Sequence, residues 1–415
     1  MEYISQQNRD SHFVVSHWIT IIWGWCFIIY EYAVRVSDSV ILPQLQRSFH
    51  LSSLHLSFLS SAYYFAYVLF MIPAGIIIDR FGLYRAWSIA ILILIFGCAL
   101  FAMRIDLTVL IIARILMGIG SSFASIGVFA LMLRHKYSGL LIGITMAMGM
   151  FGALMGQGPW LQLTHFLGFW AYTYWFATIV GIVLWLFWWW HARNQTLTLV
   201  HMHMSSIGNT FLQLFRSPVF WVLALFIGCL STPQTAFMAL WGPRYLTKAY
   251  HLTPTLAAYA NSLMAIGGLI GAILLGWLGD RYGNIKVILG VIAILTIICM
   301  FAIIEVWFAN VNLLLLLLLI VGLLTNTNVI VFAFIGKYFY NFSKTTIQGT
   351  TNMFNMSGGP VFQIIIGILI SLETSDIHTQ LSAMAMRKAL LAIPIGLIIV
   401  TILLLSLSPK KLVME

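Results

Sequence analysis

Charged residues are what this chain has least of: Asp, Glu, Lys and Arg make up 8% of its 415 residues, against about a quarter in ordinary soluble domains. So few charges cannot clothe a water-facing surface, and the 61% hydrophobic content points to the bilayer as solvent. Cysteine is nearly absent as well. Cys26, Cys98, Cys229 and Cys299 all fall in apolar runs, which excludes a disulfide framework. No Walker-type phosphate loop occurs, so ATP-driven work finds no support. Neither a His-Glu-x-x-His motif nor a nucleophile motif appears, which sets an intramembrane enzyme aside. The opening seventeen residues are polar, and no short apolar core with a cleavage site precedes the first long run. No cleaved leader is expected; the first span itself serves as the membrane address.

What is present is a series of apolar stretches near the 20 residues a spanning helix needs. Twelve can be drawn, at 18–42, 53–78, 84–103, 107–131, 139–163, 169–190, 219–241, 254–279, 285–304, 310–336, 346–371 and 388–407. The net charge of +10 is not a nucleic-acid footprint, because its distribution is topological. With the N-terminus inside, thirteen Lys/Arg fall in inside segments and six outside, which predicts both termini cytoplasmic. The sequons at Asn194 and Asn341 then lie on the wrong side for glycosylation.

One pattern occurs twice, 201 residues apart: Gly75-x-x-x-Asp79-Arg80-x-Gly82-x-x-Arg85 and Gly276-x-x-x-Asp280-Arg281-x-Gly283-x-x-Lys286. A repeat at half the chain length means two related halves. The glycines allow close helix approach and a sharp turn, and each Asp-Arg pair sits where an apolar run ends. This pattern resembles the loop signature of the major facilitator superfamily, found between helices 2 and 3 and again between helices 8 and 9. Arg114-x-x-x-Gly118-x-Gly120 likewise resembles the family's fourth span, which carries a single Arg. The resemblance implies an all-α membrane fold of twelve transmembrane helices in two pseudo-symmetric six-helix bundles. The division expected is 1–190 for the N-terminal bundle, 191–217 for a cytoplasmic linker and 218–415 for the C-terminal bundle. His191, His201 and His203 in that linker are read as ordinary polar positions, and no metal site is expected. The resemblance also implies that the ten motif residues form a conformational latch, with Asp79 near the start of span 11 and Asp280 near the start of span 5.

Gly149, Gly152 and Gly156 give span 5 a small-residue face for close packing. Drug/proton antiporters of the superfamily carry a Gly-Pro pair within a longer glycine motif in this span. Here Gly158-Pro159 comes only at its far end, out of that register, which weighs against an exporter.

Three ionisable residues fall firmly within spans: Glu31 and Arg35 in span 1, and Arg114 in span 4. Each is costly there, about 2.5–3.5 kcal/mol on insertion scales, and needs a partner or a wet cavity. Glu31 and Arg35 are four apart and share a helical face. A plain internal ion pair is the bland reading. The trio nevertheless carries a net +1, which favours a ligand with a carboxylate over a lipophilic cation. Glu31, read as the sole acid well within a span, is the candidate proton-coupling carboxylate; Asp38 is placed at the outer end of span 1, where it would cap or pair with Arg47. The second half offers amides instead: Gln234, Asn261, Asn326 and Asn328, then Gln348, Asn352, Asn355 and Gln363. Interhelical bonding is their ordinary role. With Arg35, Arg114, Tyr63 and Tyr67 opposite, Gln234, Asn261, Asn326, Asn352 and Asn355 form the expected binding set. Trp188, Trp189 and Trp190 read as an interfacial belt, and Trp241-Gly242-Pro243 as either a helix stop or part of a gate.

Tyr30-Glu31-Tyr32-Ala33-Val34-Arg35-Val36-Ser37-Asp38-Ser39-Val40 also resembles the first span of the phagosomal transporter family and related nutrient carriers of intracellular bacteria, as do Ala236-Phe237 and Leu240-Trp241-Gly242. Those relatives usually carry Pro where Asp38 stands. The function implied is proton-coupled uptake of a small organic solute with a carboxylate, such as an amino acid. The alternatives are a proton-driven exporter of a drug or metabolite, and a sensor that kept the fold but lost transport. A proton gradient would be the energy source and no cofactor is expected. The partners expected are a small-molecule substrate and the lipid bilayer, with no nucleic acid, the chain acting as a monomer in a bacterial inner membrane.

Overall fold

The computed structural model describes residues 2–132, 138–193, 214–281, 285–308, 310–327, 330–331, 335, 344–373 and 382–406. Among the described residues, ten helices are long and apolar enough to cross a membrane. Span 5 is a broken pair, Ser138–Met155 and Gly158–Leu167, and span 10 is described as the shorter apolar helix Val311–Thr325. Together these give the twelve spans of the major facilitator fold. Large apolar side chains such as Leu69, Ile179, Ile273 and Ile402 stand exposed around the outside, where lipid tails rather than water would meet them.

The residues explain the packing directly. A Cβ added at Gly152 would lie 2.4 Å from Ile29 O, and one at Gly156 2.4 Å from Ala33 O. These glycines therefore set how closely span 5 approaches span 1. Between the halves, span 2 (Ser53–Phe81) runs along span 11 (Lys344–Glu373), and span 5 along span 8 (Pro254–Arg281). Gly367 of span 11 leaves a Cβ only 1.7 Å from Ser57 Oγ, so only glycine fits at that crossing.

Several expectations need correction. The first span begins at Trp18 as expected, on a helix that starts at Glu2, but it ends at Val36 instead of running to 42. A second helix, Asp38–Phe49, follows after the turn at Ser37. The reason is competition for carbonyls: Ser37 and Ser39 hydroxyls donate to Val34 O and Val36 O, and Arg114 takes Val34 O and Arg35 O. Trp241-Gly242-Pro243 does not stop span 7. Pro218–Leu230 passes into a π-helical stretch, Pro233–Trp241, and then into Gly242–Ala249, Pro243 fitting the first turn where no amide donor is required. Trp188 is not a belt residue. It is fully buried, stacked on Trp23 at 4.2 Å and on Tyr84 at 5.0 Å, while Trp189 and Trp190 are exposed as expected. Span 12 begins at Ala383, before the expected 388. All four cysteines are free thiols.

Candidate functional site

The break in span 1 gathers the buried charges. Arg35 Nη2 donates to both carboxylate oxygens of Glu31, at 2.9 and 2.8 Å, one helical turn away. Its guanidinium lies between two tyrosine rings, 4.0 Å from the centroid of Tyr32 and 4.3 Å from that of Tyr67. Such desolvated cation–π contacts add to the ion pair. Tyr63 donates to Glu31 Oε2 at 3.0 Å and, with that proton spent, accepts from the Ser121 hydroxyl at 2.6 Å. Met356 of span 11 reaches across from the second half, its Sδ 3.7 Å from Arg35 Nη1.

Arg114 behaves differently from the expectation. It donates to Val34 O at 3.2 Å and to Arg35 O at 3.1 Å, so it holds the open end of the first helix. Its Nη2 also lies 3.1 Å from Asp38 Oδ2, an ion pair set too obliquely to count as a hydrogen bond. Both residues are wholly buried. Asp38 does follow the end of span 1, but it is wholly buried there and paired with Arg114 rather than Arg47, so Glu31 is not the sole embedded acid. The net +1 of the sequence reading becomes zero: Glu31 faces Arg35, and Asp38 faces Arg114.

Beside this cluster lies a narrow cavity between the halves, closed down to about 20 Å³. Its polar lining is uncharged: Tyr32, Ser125 and Thr145 from the first half, Ser231, Gln234, Thr235, Asn326, Asn352 and Asn355 from the second. Met146, Met150 and Met356 add soft thioethers. Of the predicted set, Gln234, Asn326, Asn352 and Asn355 come together here. Arg35 stands behind Tyr32, touching two of the wall residues. Tyr63 and Tyr67 hold the ion pair rather than line the cavity. Arg114 is turned toward the helix break.

Asn261 serves another contact. Its Nδ2 donates to Gln157 Oε1 at 2.8 Å and to Met238 O at 2.9 Å. Gln157 Nε2 in turn donates to Ser39 Oγ at 3.0 Å and to Met238 O at 3.2 Å. This fully buried knot joins the breaks in spans 1 and 5 to the π-helical part of span 7, whose irregular backbone leaves Met238 O free to accept twice. Arg244 to Gln46 adds a bond on the same side. The sequence reading missed Gln157, Tyr32 and Met356. Only Gln157 carried a local sign, the Gly158-Pro159 step that follows it. Of the latch, Gly75 lies within span 2, Gly82 makes the turn after it at φ 83°, and Arg80 and Arg85 are exposed. The contacts expected of Asp79, Gly276, Asp280 and Arg281 rest on positions whose side chains lie outside the described residues, as does Gly283 entirely; Lys286 begins span 9.

Residues 24–363 match the Major Facilitator Superfamily. The chain belongs to that superfamily. A stretch of 97 residues is 35% identical to the "Uncharacterized transporter YybO" of Bacillus subtilis (strain 168), covering 23% of this chain and 22% of that protein. A longer match, 25% identical over 313 residues, covers 65% of this chain and 68% of the "Probable galactarate/D-glucarate transporter GudP" of Escherichia coli (strain K12). Among solved structures, a bacterial homolog of the human lysosomal transporter Spinster, inward-facing and unoccupied, superposes with a TM-score of 0.75 at 14% identity, covering 94% of this chain and 96% of that one. Its inward-facing occupied form gives 0.75 at 13%, covering 95% and 97%. At that identity the likeness speaks for the fold alone. The chain is a multi-pass membrane transporter and not an enzyme.

Proposed function

We propose that this transporter carries a small organic solute bearing a carboxylate, in symport with protons, by alternating access of a site between its halves. The observation that carries the reading is the Glu31–Arg35 pair, two-pronged and buried beside a neutral polar cavity. A guanidinium binds a second carboxylate through the same two parallel bonds it gives the first. A substrate carboxylate can therefore take Arg35 from Glu31, and the released Glu31 accepts a proton rather than remain an unpaired buried charge. Gln234, Asn326, Asn352 and Asn355 would contact the rest of the molecule. Arg114 serves as a positioning residue that fixes the backbone beneath Arg35. The Gln157–Asn261 knot closes the end away from the Asp79 loop, which we place in the cytoplasm with both termini. The name of the 25%-identical relative, a transporter of two sugar acids, supports a carboxylate.

The test is competition in proteoliposomes between an acid and its amide against a transported substrate. The acid is expected to inhibit at least tenfold better, since the amide cannot take both guanidinium bonds. Equal inhibition by the two removes the Arg35–carboxylate contact and the reading with it.

A further inference from the structure

The cancelling of the buried charges limits what the loaded site can hold. Glu31 faces Arg35 and the hydroxyl of Tyr63, with Tyr64 and Tyr67 on the same neighbouring span, Tyr30 and Tyr32 on its own, and Arg114 beyond the Tyr63 ring, 4.7 Å from its centroid. Asp38 is held to Arg114. Among the described residues of the second half, none that lines the cavity is charged. The empty site is therefore neutral, and any net charge added between the halves stays uncompensated in a low-dielectric interior.

Three kinds of carboxylate differ under that rule. A monoanion on Arg35 adds one negative charge, and one proton taken from water by Glu31 restores zero; the same proton returns to water on the other side. A dianion leaves a surplus negative charge after that proton. A zwitterion is already balanced, so a proton would leave a surplus positive charge, and its transport would not follow the pH gradient.

The rest of the wall points to hydroxyl groups. Ser231 and Thr235 spend their hydroxyl protons on the carbonyls of Asn355 and Ser231, leaving oxygen lone pairs to accept. Asn355 Oδ1 and Asn326 Nδ2 are buried in the wall without a partner among the described residues, one acceptor and one donor. A ligand hydroxyl both donates and accepts, so it satisfies either kind of orphan. We infer that the site takes a singly charged, hydroxylated monocarboxylate together with one proton, making the loaded carrier electroneutral. This rests on the proposed carriage of a carboxylate, and narrows it against both amino acids and sugar diacids.

The experiment uses the purified full chain in liposomes with labelled D-gluconate as the probe. An imposed pH gradient of one unit, acid outside, should drive about tenfold accumulation, the equilibrium ratio for one proton per anion. A potassium-diffusion potential set with valinomycin should leave that ratio unchanged. Unlabelled D-glucosaminate, the same skeleton as a zwitterion, and D-glucarate, the diacid, should each compete at least tenfold more weakly than gluconate. Accumulation that follows the imposed potential, or equal competition by either compound, overturns the inference but leaves carboxylate transport standing. If no gluconate enters, the inference fails while carriage of another carboxylate still stands; if neutral sorbitol competes as well as gluconate, both the inference and the carboxylate reading fail.

Discussion

Replacing Asp38 by Asn removes one charge from a wholly buried pair and leaves Arg114 uncompensated. At 3.1 Å and an effective dielectric near 20, the lost attraction is about 5 kcal/mol. Breaking buried pairs by removing one partner costs about 3–5 kcal/mol. For a chain of this size that corresponds to a fall of roughly 3–6 °C in apparent melting temperature. Arg114→Gln orphans Asp38 and should fall by a similar amount. The double variant Asp38→Asn with Arg114→Gln removes both charges together and should be more stable than either single variant, a coupling of at least about 1.5 kcal/mol. Arg114→Lys keeps the charge, but an ammonium lacks the fork that spans Val34 O, Arg35 O and Asp38. It should melt below wild type while still being stabilised by substrate. The measurement is thermal unfolding of the detergent-purified protein, with and without a transported acid. Additive single effects would refute the pairing. If Arg114→Lys keeps its stability but loses the ligand-induced shift, Arg114 is a direct substrate contact and the positioning role is wrong.

Glu31→Gln keeps a hydrogen-bond acceptor for Arg35 but cannot take a proton; it should retain substrate exchange and lose pH-driven accumulation, and accumulation equal to wild type would make Glu31 merely structural. Gln157→Leu removes the bonds to Ser39, Met238 and Asn261, each worth about 1 kcal/mol. In a background without native cysteines, a cysteine at Ser262 should then react with a small maleimide on the order of tenfold faster; an unchanged rate would show that the knot does not hold that end closed. Gly152→Ala forces a Cβ against Ile29 O and should cost about 1–3 kcal/mol, whereas Gly143→Ala, with nothing within 4 Å, should be silent in the same melting assay.

The sequence carried the fold because its signals are periodic and repeated. Spans near 20 residues and two copies of one loop pattern define a twelve-helix, two-half architecture without reference to any contact. Glu31 and Arg35 were legible for a similar reason, since four-residue spacing puts them on one helical face. Asp38 was not. A continuous helix through residue 42 would have carried it toward the membrane surface, but the break at Ser37 turns it back toward Arg114, which lies 76 positions later. Ser37 and Ser39 supply a local part of that break by bonding carbonyls three residues back. The deciding part is tertiary, the Arg114 guanidinium capturing Val34 O and Arg35 O from a distant span.

The same misplacement shows why charge arithmetic on embedded residues depends on backbone geometry. Counting Glu31, Arg35 and Arg114 alone gave a surplus cation and assigned both arginines to the substrate. Once the helix break brings Asp38 in, one arginine is occupied with structure and one remains beside the cavity. The amides divide along a similar line. Asn352 and Asn355 reach the cavity because i and i+3 share a face, whereas Asn261 binds Gln157 and Met238 across spans whose register the sequence does not reveal. If Arg35 exchanges carboxylates as proposed, a site with that guanidinium and neutral walls would select by the net charge of its cargo. That selection would depend on the Asp38–Arg114 pair, so substituting Asp38 should alter how transport responds to membrane potential as well as how stable the protein is.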